Sequence, residues 1–247
     1  MTELMNKTLA QIVTANYKAA MVFEKYNLDF CCKGKRSLQY ACAETGNSIG
    51  EVMKDLERTW EANPKPDLLH FEHLTLTQLA DYVVSTHHQY IRNEAPVILK
   101  YLEKIAAKHG DQLPYLHTIL GLFTQVNTEL QRHMEKEELI LFTRIKAAER
   151  HYQHSGSPQL NISYILSPMQ VMEAEHEMAG QRLEQIRFLT ENYLPPTSAC
   201  TTFRLAYASL QAFEVDLHHH VHLENNLLFP RALELFAAPE GSPVIPE

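Results

Sequence analysis

Two stretches of this chain repeat one arrangement of side chains that bind metals. His133 is followed four residues later by Glu137, and His220 is followed four residues later by Glu224. The two pairs lie 87 residues apart, and a phenylalanine follows nine residues after each histidine. Because residues i and i+4 lie on one face of an α-helix, each pair can present an imidazole and a carboxylate to one metal ion or to two adjacent ions.

Each pair lies on the apolar stripe of its helix, which is the face expected to pack against other helices. In the second stretch, leucines three residues before His220 and three residues after Glu224 continue this stripe. The other histidines of that stretch fall off the stripe; they are His218, His219 and His222. We therefore predict that His220 is the metal ligand among the four.

Two further histidines complete the pattern. His88 and His176 lie on the apolar stripes of two other predicted helices, and they precede His133 and His220 by 45 and 44 residues. The chain therefore looks like one helical hairpin that occurs twice. The two helices of a hairpin are antiparallel, so their histidines are expected to lie at the same level. Six side chains are expected to converge: His88, His133, Glu137, His176, His220 and Glu224.

Such a convergence in a core predicts a metal centre. Burying two carboxylates and four imidazoles without a partner would be very costly, and a bound cation offsets that cost. Six ligands exceed the four of a structural zinc site, whereas this donor set suits two iron ions with bridging glutamates and an open position on each iron. Zinc or manganese in place of iron is one alternative. Histidines that bond only to protein groups are the other.

The roles of several nearby polar residues stay open. His109 lies 21 residues after His88 on the same predicted helix. At 1.5 Å per residue that is about 30 Å, so His109 joins the centre only if Pro96 breaks the helix. His87 falls off the stripe. Glu129 and Asp216 fit a supporting contact, an access path or a solvated helix face equally well. Glu175 could line an entrance to the centre, although a surface position is favoured.

The elements that position these residues are predicted to be helices throughout, in an all-α fold. Only 8 of 247 residues are glycine, and alternating apolar patterns typical of strands are hard to find. A proline-rich segment without periodicity marks a domain boundary near residues 62–74. We predict a small helical domain at residues 1–66, an up-down-up-down four-helix bundle at residues 74–238 and a disordered tail at residues 239–247.

The helix boundaries follow from periodicity and capping signals. In the first domain, one helix is predicted over residues 8–26, and a capping box at Ser48 opens another that ends near Trp60. Pro114 and Pro168 suit first-turn positions, and Pro96 predicts a kink in the first long helix. The four long helices are predicted over residues 76–109, 114–148, 167–192 and 200–236.

The composition excludes several classes of function. With 22 basic and 30 acidic residues the net charge is −8, which argues against nucleic acid and anionic membranes as partners. No apolar run approaches the roughly 20 residues of a membrane span, and the N-terminal residues lack a signal-peptide core. The four cysteines form no disulfide framework, and Cys42 and Cys200 are interpreted as packing residues. A reducing, cytoplasmic location is expected.

These motifs resemble those of a known family. The helices that carry the six predicted ligands look like a hemerythrin-type di-iron bundle. The segment YNLDFCCKGKRSL, residues 26–38, is similar to the small N-terminal domain of the iron–sulfur cluster repair proteins, the repair of iron centres family. MEAEHEMAG and HLENNLLFPRAL also match that family's patterns. The resemblance covers essentially the whole chain except its C-terminal tail.

The resemblance implies a cytoplasmic protein with two non-haem iron ions, bridged by an oxo group and by carboxylates. It implies production under nitrosative and oxidative stress, and restoration of damaged iron–sulfur clusters by supplying iron. The implied partners are damaged iron–sulfur proteins or a cluster scaffold, with nitric oxide or oxygen as a small ligand. Neither nucleic acid nor a membrane is implied, and a homodimer stays open.

The resemblance also assigns a part in the reaction to Cys31 and Cys32. Thiolates are soft ligands for iron, and adjacent thiols can pass on a metal ion or a nitrosyl group. Lys33, Lys35 and Arg36 are expected to lower the pKa of these thiols. The alternative is that both cysteines only pack the small domain.

Three functions are therefore compared. The first is an iron-handling stress protein that repairs iron–sulfur clusters. The second is an enzyme whose open iron positions bind and reduce nitric oxide. The third is an oxygen-binding hemerythrin or sensor, which ranks last because a pure carrier does not need the cysteine domain. Whether the chain is an enzyme stays open at this stage.

Overall fold

A computed structural model describes residues 2–61, 71–155 and 161–237 of the chain. The tail predicted to be disordered at residues 239–247 lies outside the described residues, as does most of the predicted boundary segment near residues 62–74. Within the described ranges there is no β-strand, and one isolated β-bridge joins Thr8 and Ser37. The all-α prediction is confirmed. No helix in these ranges has the length and apolar character needed to cross a membrane.

The N-terminal part of the chain forms five short helices. The helix predicted over residues 8–26 is in fact two, because Asn16 turns the backbone to an extended conformation with φ −150° and ψ 97°. The Asn16 side chain then accepts a hydrogen bond from the Lys18 N–H and donates one to Thr59 Oγ1. The helices are α1 Thr2–Asn6, α2 Leu9–Ala15, α3 Ala19–Lys25, α4 Leu38–Thr45 and α5 Ile49–Glu61.

The predicted helix opening at Ser48 is present as α5, but α4 was missed. It begins where the Ser37 hydroxyl accepts a hydrogen bond from the Tyr40 N–H at 3.3 Å. It ends at Gly46, whose φ of 72° lies in the left-handed region that favours glycine. Both signals are visible in the sequence, so the helix was predictable from its caps even though its apolar periodicity is weak.

Four long helical rods follow, three of which contain a single π-helical turn. The first rod consists of α6 Leu76–Val83, a π turn Val84–His88 and α7 Gln89–His109. The second consists of α8 Tyr115–Lys136, a π turn Glu137–Leu141 and α9 Phe142–Ser155. The third is the unbroken α10 Ser163–Leu189, and the fourth consists of α11 Thr201–Leu223, a π turn Glu224–Leu228 and α12 Phe229–Ala237.

The rods match the predicted bundle helices with two clear differences. The second rod continues to Ser155, seven residues beyond its predicted end. The third rod begins at Ser163, so Pro168 lies inside α10 rather than in its first turn. Its start is stabilised by Asn161, whose side-chain oxygen accepts a hydrogen bond from the Ser163 N–H at 2.9 Å. The first rod continues past Pro96 to His109, so this proline does not end the helix.

The rods pack in a ring, and the N-terminal helices cover its most open side. The first rod packs closely against the second and the fourth, and the second against the third, whereas α10 and α11 touch sparsely. Buried side chains of the N-terminal part, such as Phe23 of α3 and Phe30 of the loop after it, belong to the same apolar core as Leu217 of the bundle. A second apolar cluster fills the other end of the bundle. The predicted ligands lie between the two clusters.

Candidate metal centre

The structure brings all six predicted ligands together in the middle of the bundle. Each is at most 1% exposed to solvent, although none is apolar. They lie close to the points where each rod passes from one apolar cluster to the other. The site is thus a buried polar layer in an otherwise apolar interior, built from His88, His133, Glu137, His176, His220 and Glu224.

The four imidazoles meet as two pairs. The Nε2 atoms of His88 and His220 are 3.3 Å apart, and those of His133 and His176 are 2.9 Å apart. Each pair combines an imidazole from one rod with an imidazole from the neighbouring rod. Two nitrogen lone pairs that face each other in this way need a cation or a proton between them.

The two glutamates reach both imidazole pairs. The Oε2 atom of Glu137 is 3.3 Å from Nε2 of His88 and 3.2 Å from Nε2 of His133. The other carboxylate behaves similarly: Oε1 of Glu224 is 3.0 Å from Nε2 of His220. Its Oε2 atom is 3.1 Å from Nε2 of His176. Two groups of four ligand atoms result, and both glutamates belong to both groups.

The π-helical turns lie at the ligands. The first ends at His88, and the other two begin at Glu137 and Glu224. Because a π turn contains an extra residue, it shifts the side chains that follow relative to those before it, and such turns occur frequently at functional sites. The sequence repeat predicted the ligands but not this local geometry.

Carboxylates orient two of the imidazoles from outside the centre. Nδ1 of His88 is 2.7 Å from Oε1 of Glu138, and Nδ1 of His133 is 2.9 Å from Oε2 of Glu175. A carboxylate at Nδ1 keeps the ring proton there, so that the lone pair of Nε2 points inward as a metal requires. Glu175, whose role stayed open in the sequence, therefore supports a predicted ligand. Glu138 was missed.

The third imidazole is oriented by an amide. Nδ1 of His176 is 3.1 Å from Oδ1 of Asn225. Asn225 directly follows Glu224 in the sequence, just as Glu138 directly follows Glu137. The residue after each shared glutamate thus supports a histidine of another rod, and the internal repeat carried this signal. The fourth imidazole differs, because no hydrogen bond to Nδ1 of His220 occurs among the described residues.

The other open residues lie outside the two ligand groups. His109 contacts Cys200, with Nε2 and Sγ 3.8 Å apart, and it belongs to neither group. Glu129 pairs with Arg182 at 2.8 Å on an accessible face of the bundle. Oδ1 of Asp216 forms a hydrogen bond with Nδ1 of His87, and the two atoms are 3.0 Å apart.

The histidines that fall off the apolar stripe face the N-terminal helices. The ring of Phe30 lies 6.1 Å from the rings of His218 and His219 and 5.7 Å from that of His222, measured between centroids. Nδ1 of His218 is also 2.6 Å from a carboxylate oxygen of Glu24. These histidines attach the small domain to the bundle, which accounts for three of the 14 histidines.

Unpartnered oxygens test whether the centre fits a metal. Both carboxylate oxygens of Glu137 and Oε2 of Glu224 are buried and make no hydrogen bond. Their close approaches to the imidazoles are misaligned for hydrogen bonds, and unsatisfied buried carboxylate oxygens are costly. Oxygen and imidazole nitrogen ligands suit iron, zinc and manganese. The residues present therefore fit a pair of metal ions.

The charges at the centre also favour a bound cation. Burial alone would raise the pKa of Glu224, but the imidazoles of His220 and His176 hold it well below the usual range. Burial alone would lower the pKa of His133, yet the carboxylates of Glu137 and Glu175 raise it to about 10. Positive charge is thus strongly stabilised at this position, either as a proton or as a metal ion.

The predicted cysteine pair lies at the junction of the small domain and the bundle. Cys31 is buried, Cys32 is partly buried and both thiols are free. The prediction that basic neighbours lower their pKa is wrong for Cys31: the Cys32 thiol, burial and the Asp29 carboxylate raise the pKa of Cys31 well above its usual value. Arg36 cannot reverse this, because its guanidinium is occupied by Glu44 and by backbone carbonyls.

One cavity is lined by both cysteines and by one of the proposed metal ligands. It has a volume of about 270 Å³ and lies between the cysteine loop and the open side of the bundle. Cys31, Cys32 and the proposed ligand His176 all line it. Gly180 of α10 also lines it, and a side chain at this position would meet open space.

Two family models match separate parts of the chain. Residues 5–59 match a domain of unknown function (DUF542), and residues 79–232 match the hemerythrin HHE cation binding domain. The iron-sulfur cluster repair protein YtfE of Musicola paradisiaca is 37% identical over 236 residues, with 92% of this chain and 96% of the relative covered. The chain belongs to the family of iron–sulfur cluster repair proteins.

Other members of the iron–sulfur cluster repair family show similar coverage. The protein YtfE of Pectobacterium carotovorum is 35% identical over 228 residues, with 92% of this chain and 97% of the relative covered. A probable iron-sulfur cluster repair protein of Haemophilus influenzae is 31% identical over 225 residues, with 91% and 96% covered. The family identified from the sequence motifs is confirmed, and the bundle is a cation-binding domain.

Proposed function

We propose that this protein holds two iron ions in the bundle and repairs iron–sulfur clusters damaged by nitrosative or oxidative stress, by supplying iron. The proposed ligands are the six converging side chains. The observation that carries the proposal is that four imidazole nitrogens and two shared carboxylates meet in a buried layer, in two groups of four. The relatives named for cluster repair support this function for the whole chain, because they align over nearly all of it.

The two irons would be held by equivalent ligand sets. His88 and His220 would bind one ion, His133 and His176 the other, and both glutamates would bridge them. Iron bound by these residues would supply the ion for transfer and a change between the ferrous and ferric states. Zinc and manganese can also bind these donors, so the assignment of iron is itself part of the proposal.

The chain's own residues would set how firmly the iron is held. Glu138, Glu175 and Asn225 keep the Nε2 lone pairs of three imidazoles directed inward. A proton on Nε2 of His133 would remove that ligand, and the high pKa of this group favours the proton once the metal has left. Protonation can therefore accompany release of iron.

The apolar clusters above and below the centre would keep bulk water from the ligands, and the cavity beside His176 gives a route toward the cysteine pair. Damaged iron–sulfur proteins are the proposed targets, and a cytoplasmic location remains the expectation for such a role. Nitric oxide reduction and oxygen binding are not favoured, because the aligned relatives are named for cluster repair. A homodimer stays a prediction.

An isotope-transfer experiment tests this proposal. The protein is loaded with ⁵⁷Fe and mixed with a [4Fe–4S] dehydratase whose cluster has been damaged by nitric oxide. We expect recovery of dehydratase activity together with ⁵⁷Fe in its cluster, measured by Mössbauer spectroscopy. Recovery without the isotope, or equal recovery with the same amount of free ferrous ion, would contradict a role in supplying iron.

Two variants distinguish the repair of a target cluster from iron binding by the bundle. His133→Ala should lose both iron and repair. The double variant Cys31→Ala, Cys32→Ala should keep iron but transfer less of it, because both cysteines line the cavity that also reaches the proposed ligand His176. If the double variant repairs the target at the same rate as the unaltered protein, the cysteine pair has no part in the reaction.

A further inference from the structure

The loop that carries the adjacent cysteines contains a second set of converging ligand atoms. A carboxylate oxygen of Asp29 and the sulfurs of Cys31 and Cys32 all lie within 4.8 Å of one another. We propose that these three residues bind one thiophilic divalent cation, which the two sulfurs chelate together. This site is separate from the bundle centre and would make the cysteine pair a metal-binding group rather than a nucleophile.

The distance between the sulfurs fits a shared metal ion. Their Sγ atoms are 3.9 Å apart. Two metal–thiolate bonds of about 2.3 Å at a tetrahedral angle place the sulfurs about 3.8 Å apart. A disulfide bond would need them at about 2.05 Å. The pair is therefore spaced to hold an ion between the sulfurs and not to bond to itself.

Asp29 fixes the loop in this arrangement. Its Oδ1 atom accepts hydrogen bonds from the backbone N–H groups of Cys31, Cys32 and Lys33 at 3.1, 2.9 and 3.3 Å. The Cys31 thiol also lies 3.3 Å from the same oxygen. One carboxylate thus holds both cysteine backbones in place before any ion binds, which reduces the ordering cost of chelation.

The electrostatics of the loop favour a bound cation over a free thiolate. The second thiol, burial and the Asp29 carboxylate all raise the pKa of Cys31, so a free thiolate is disfavoured at this position. A protonated thiol is a poor nucleophile. A divalent cation reverses the balance, because it attracts both sulfurs and the carboxylate and displaces the thiol protons.

The site has access to solvent and to the bundle. Cys31, Cys32 and Asp29 line the cavity of about 270 Å³ that also reaches His176. At about 30 Å³ per water, this volume holds several water molecules. An ion chelated by the cysteines could therefore keep an open position toward the cavity, where water or a thiol of another protein can bind.

The natural cation is inferred to be Fe²⁺, and this part rests on the proposed function. Fe²⁺ that leaves the bundle would meet the two thiols along the cavity before it reaches the surface. Its binding releases two thiol protons to water and transfers no electron. The cysteine site would then hold iron in transit toward a damaged cluster.

Cobalt absorption tests the site in the full-length protein. The iron-loaded protein is titrated with Co²⁺ without oxygen, because cobalt bound to thiolate gives an intense near-ultraviolet charge-transfer band that nitrogen and oxygen ligands do not give. We expect the band to saturate at one Co²⁺ per chain. Cys31→Ser and Cys32→Ser should each abolish most of it, and Asp29→Asn should weaken cobalt binding. Cys200→Ser, which alters a cysteine outside the site, should leave the band unchanged.

The outcomes separate this inference from the proposed function. Iron content and circular dichroism report whether each variant is folded and whether the bundle is loaded. An iron-loaded protein that shows no thiolate band, or a band that persists in Cys31→Ser, overturns the cysteine site and leaves the bundle proposal intact. A thiolate band in a protein that retains no iron would support the cysteine site and contradict the proposed function.

Discussion

At the scale of single residues, the orientation of the imidazole rings decides what the centre can bind. Three of the four rings have a hydrogen-bond acceptor at Nδ1, and all four direct Nε2 toward another ligand. An imidazole used only for packing has no need of this arrangement. The ring orientations therefore distinguish predicted ligands from buried histidines such as His222, which contacts Phe30 and Asn226.

Substitution of a ligand should remove iron, whereas substitution of a buried histidine nearby should not. We expect His133→Ala and Glu224→Ala each to lower the iron content and the oxo-to-iron absorption of the oxidised protein. His222→Ala is the matched control, because His222 is equally buried and lies two residues from a proposed ligand. Iron that remains in both ligand variants, or is lost equally in the control, would refute the ligand assignment.

Loss of a supporting carboxylate should weaken metal binding without abolishing it. Glu138 fixes the ring of His88 and also pairs with Arg92 at 2.8 Å. Removing such an outer partner typically lowers metal affinity about 10- to 100-fold, so we expect Glu138→Ala to shift iron competition with a chelator by that factor. Glu135→Ala, an exposed glutamate of the same helix, is the control. An unchanged affinity in Glu138→Ala would show that the contact does not orient the ligand.

At the scale of elements, π turns and tight loops position the chemistry. The three π turns coincide with proposed ligands, and the cysteine loop returns onto α2 through a hydrogen bond from the Ala10 N–H to the Gly34 carbonyl at 2.9 Å. Gly34 is required there, because a Cβ atom would lie 2.2 Å from the carbonyl oxygen of Phe30. The position of the cysteines thus depends on a glycine, which has no reactive side chain.

A side chain at Gly34 should therefore displace the cysteine loop while leaving the bundle intact. We expect Gly34→Ala to increase the reaction rate of Cys31 with a thiol reagent, because the loop must open, and to lower the melting temperature of the protein. Iron content should not change. Gly50→Ala is the control, since a Cβ at this helical position meets only Ser48 at 3.9 Å. Equal thiol reactivity in both variants would mean that the loop tolerates the clash.

The proposed ligands were easier to predict from the sequence than the local structure around them. The repeat of His133-Glu137 as His220-Glu224 was visible because helical periodicity couples spacing to a common face. The π turns were not visible, because they depend on strain and packing between rods rather than on local composition. The break at Asn16 was missed for a related reason: it is stabilised by a contact with Thr59, which is distant in sequence.

At the scale of the whole molecule, the small domain and the bundle act as one unit. Apolar residues of both belong to one core, and the amide of Asn226 donates a hydrogen bond to the Cys31 carbonyl at 3.1 Å. This contact links the rod that carries Glu224 to the cysteine loop. The sequence predicts two separate domains, because no local pattern indicates which side of a bundle another domain covers.

The stability of the metal-free protein should depend on pH through the centre. The folded pKa of His133 is raised to about 10, above the ordinary imidazole value of 6.5. Its contribution to stability is therefore complete below about pH 6.5 and is lost as the pH rises through about 10. We expect the free energy of unfolding in urea to fall across this range. It should fall less in His133→Asn, which has no imidazole, and in the iron-loaded protein, where Nε2 of His133 would bind the metal and take up no second proton.

A metal-free protein whose stability stays constant or increases between about pH 6.5 and pH 10 would contradict the charge balance described for the centre. So would an equal loss of stability in His133→Asn, because this variant has no imidazole to titrate at that position. Far-ultraviolet circular dichroism at each pH serves as the control that the starting state is folded.

Anomalous X-ray scattering at the iron absorption edge, from crystals of the iron-loaded protein, tests the central claim most directly. Two peaks are predicted in the middle of the bundle, one beside Nε2 of His88 and His220 and the other beside Nε2 of His133 and His176. Both should adjoin the carboxylates of Glu137 and Glu224. A single peak, peaks away from these side chains, or no iron signal in the bundle would contradict the account.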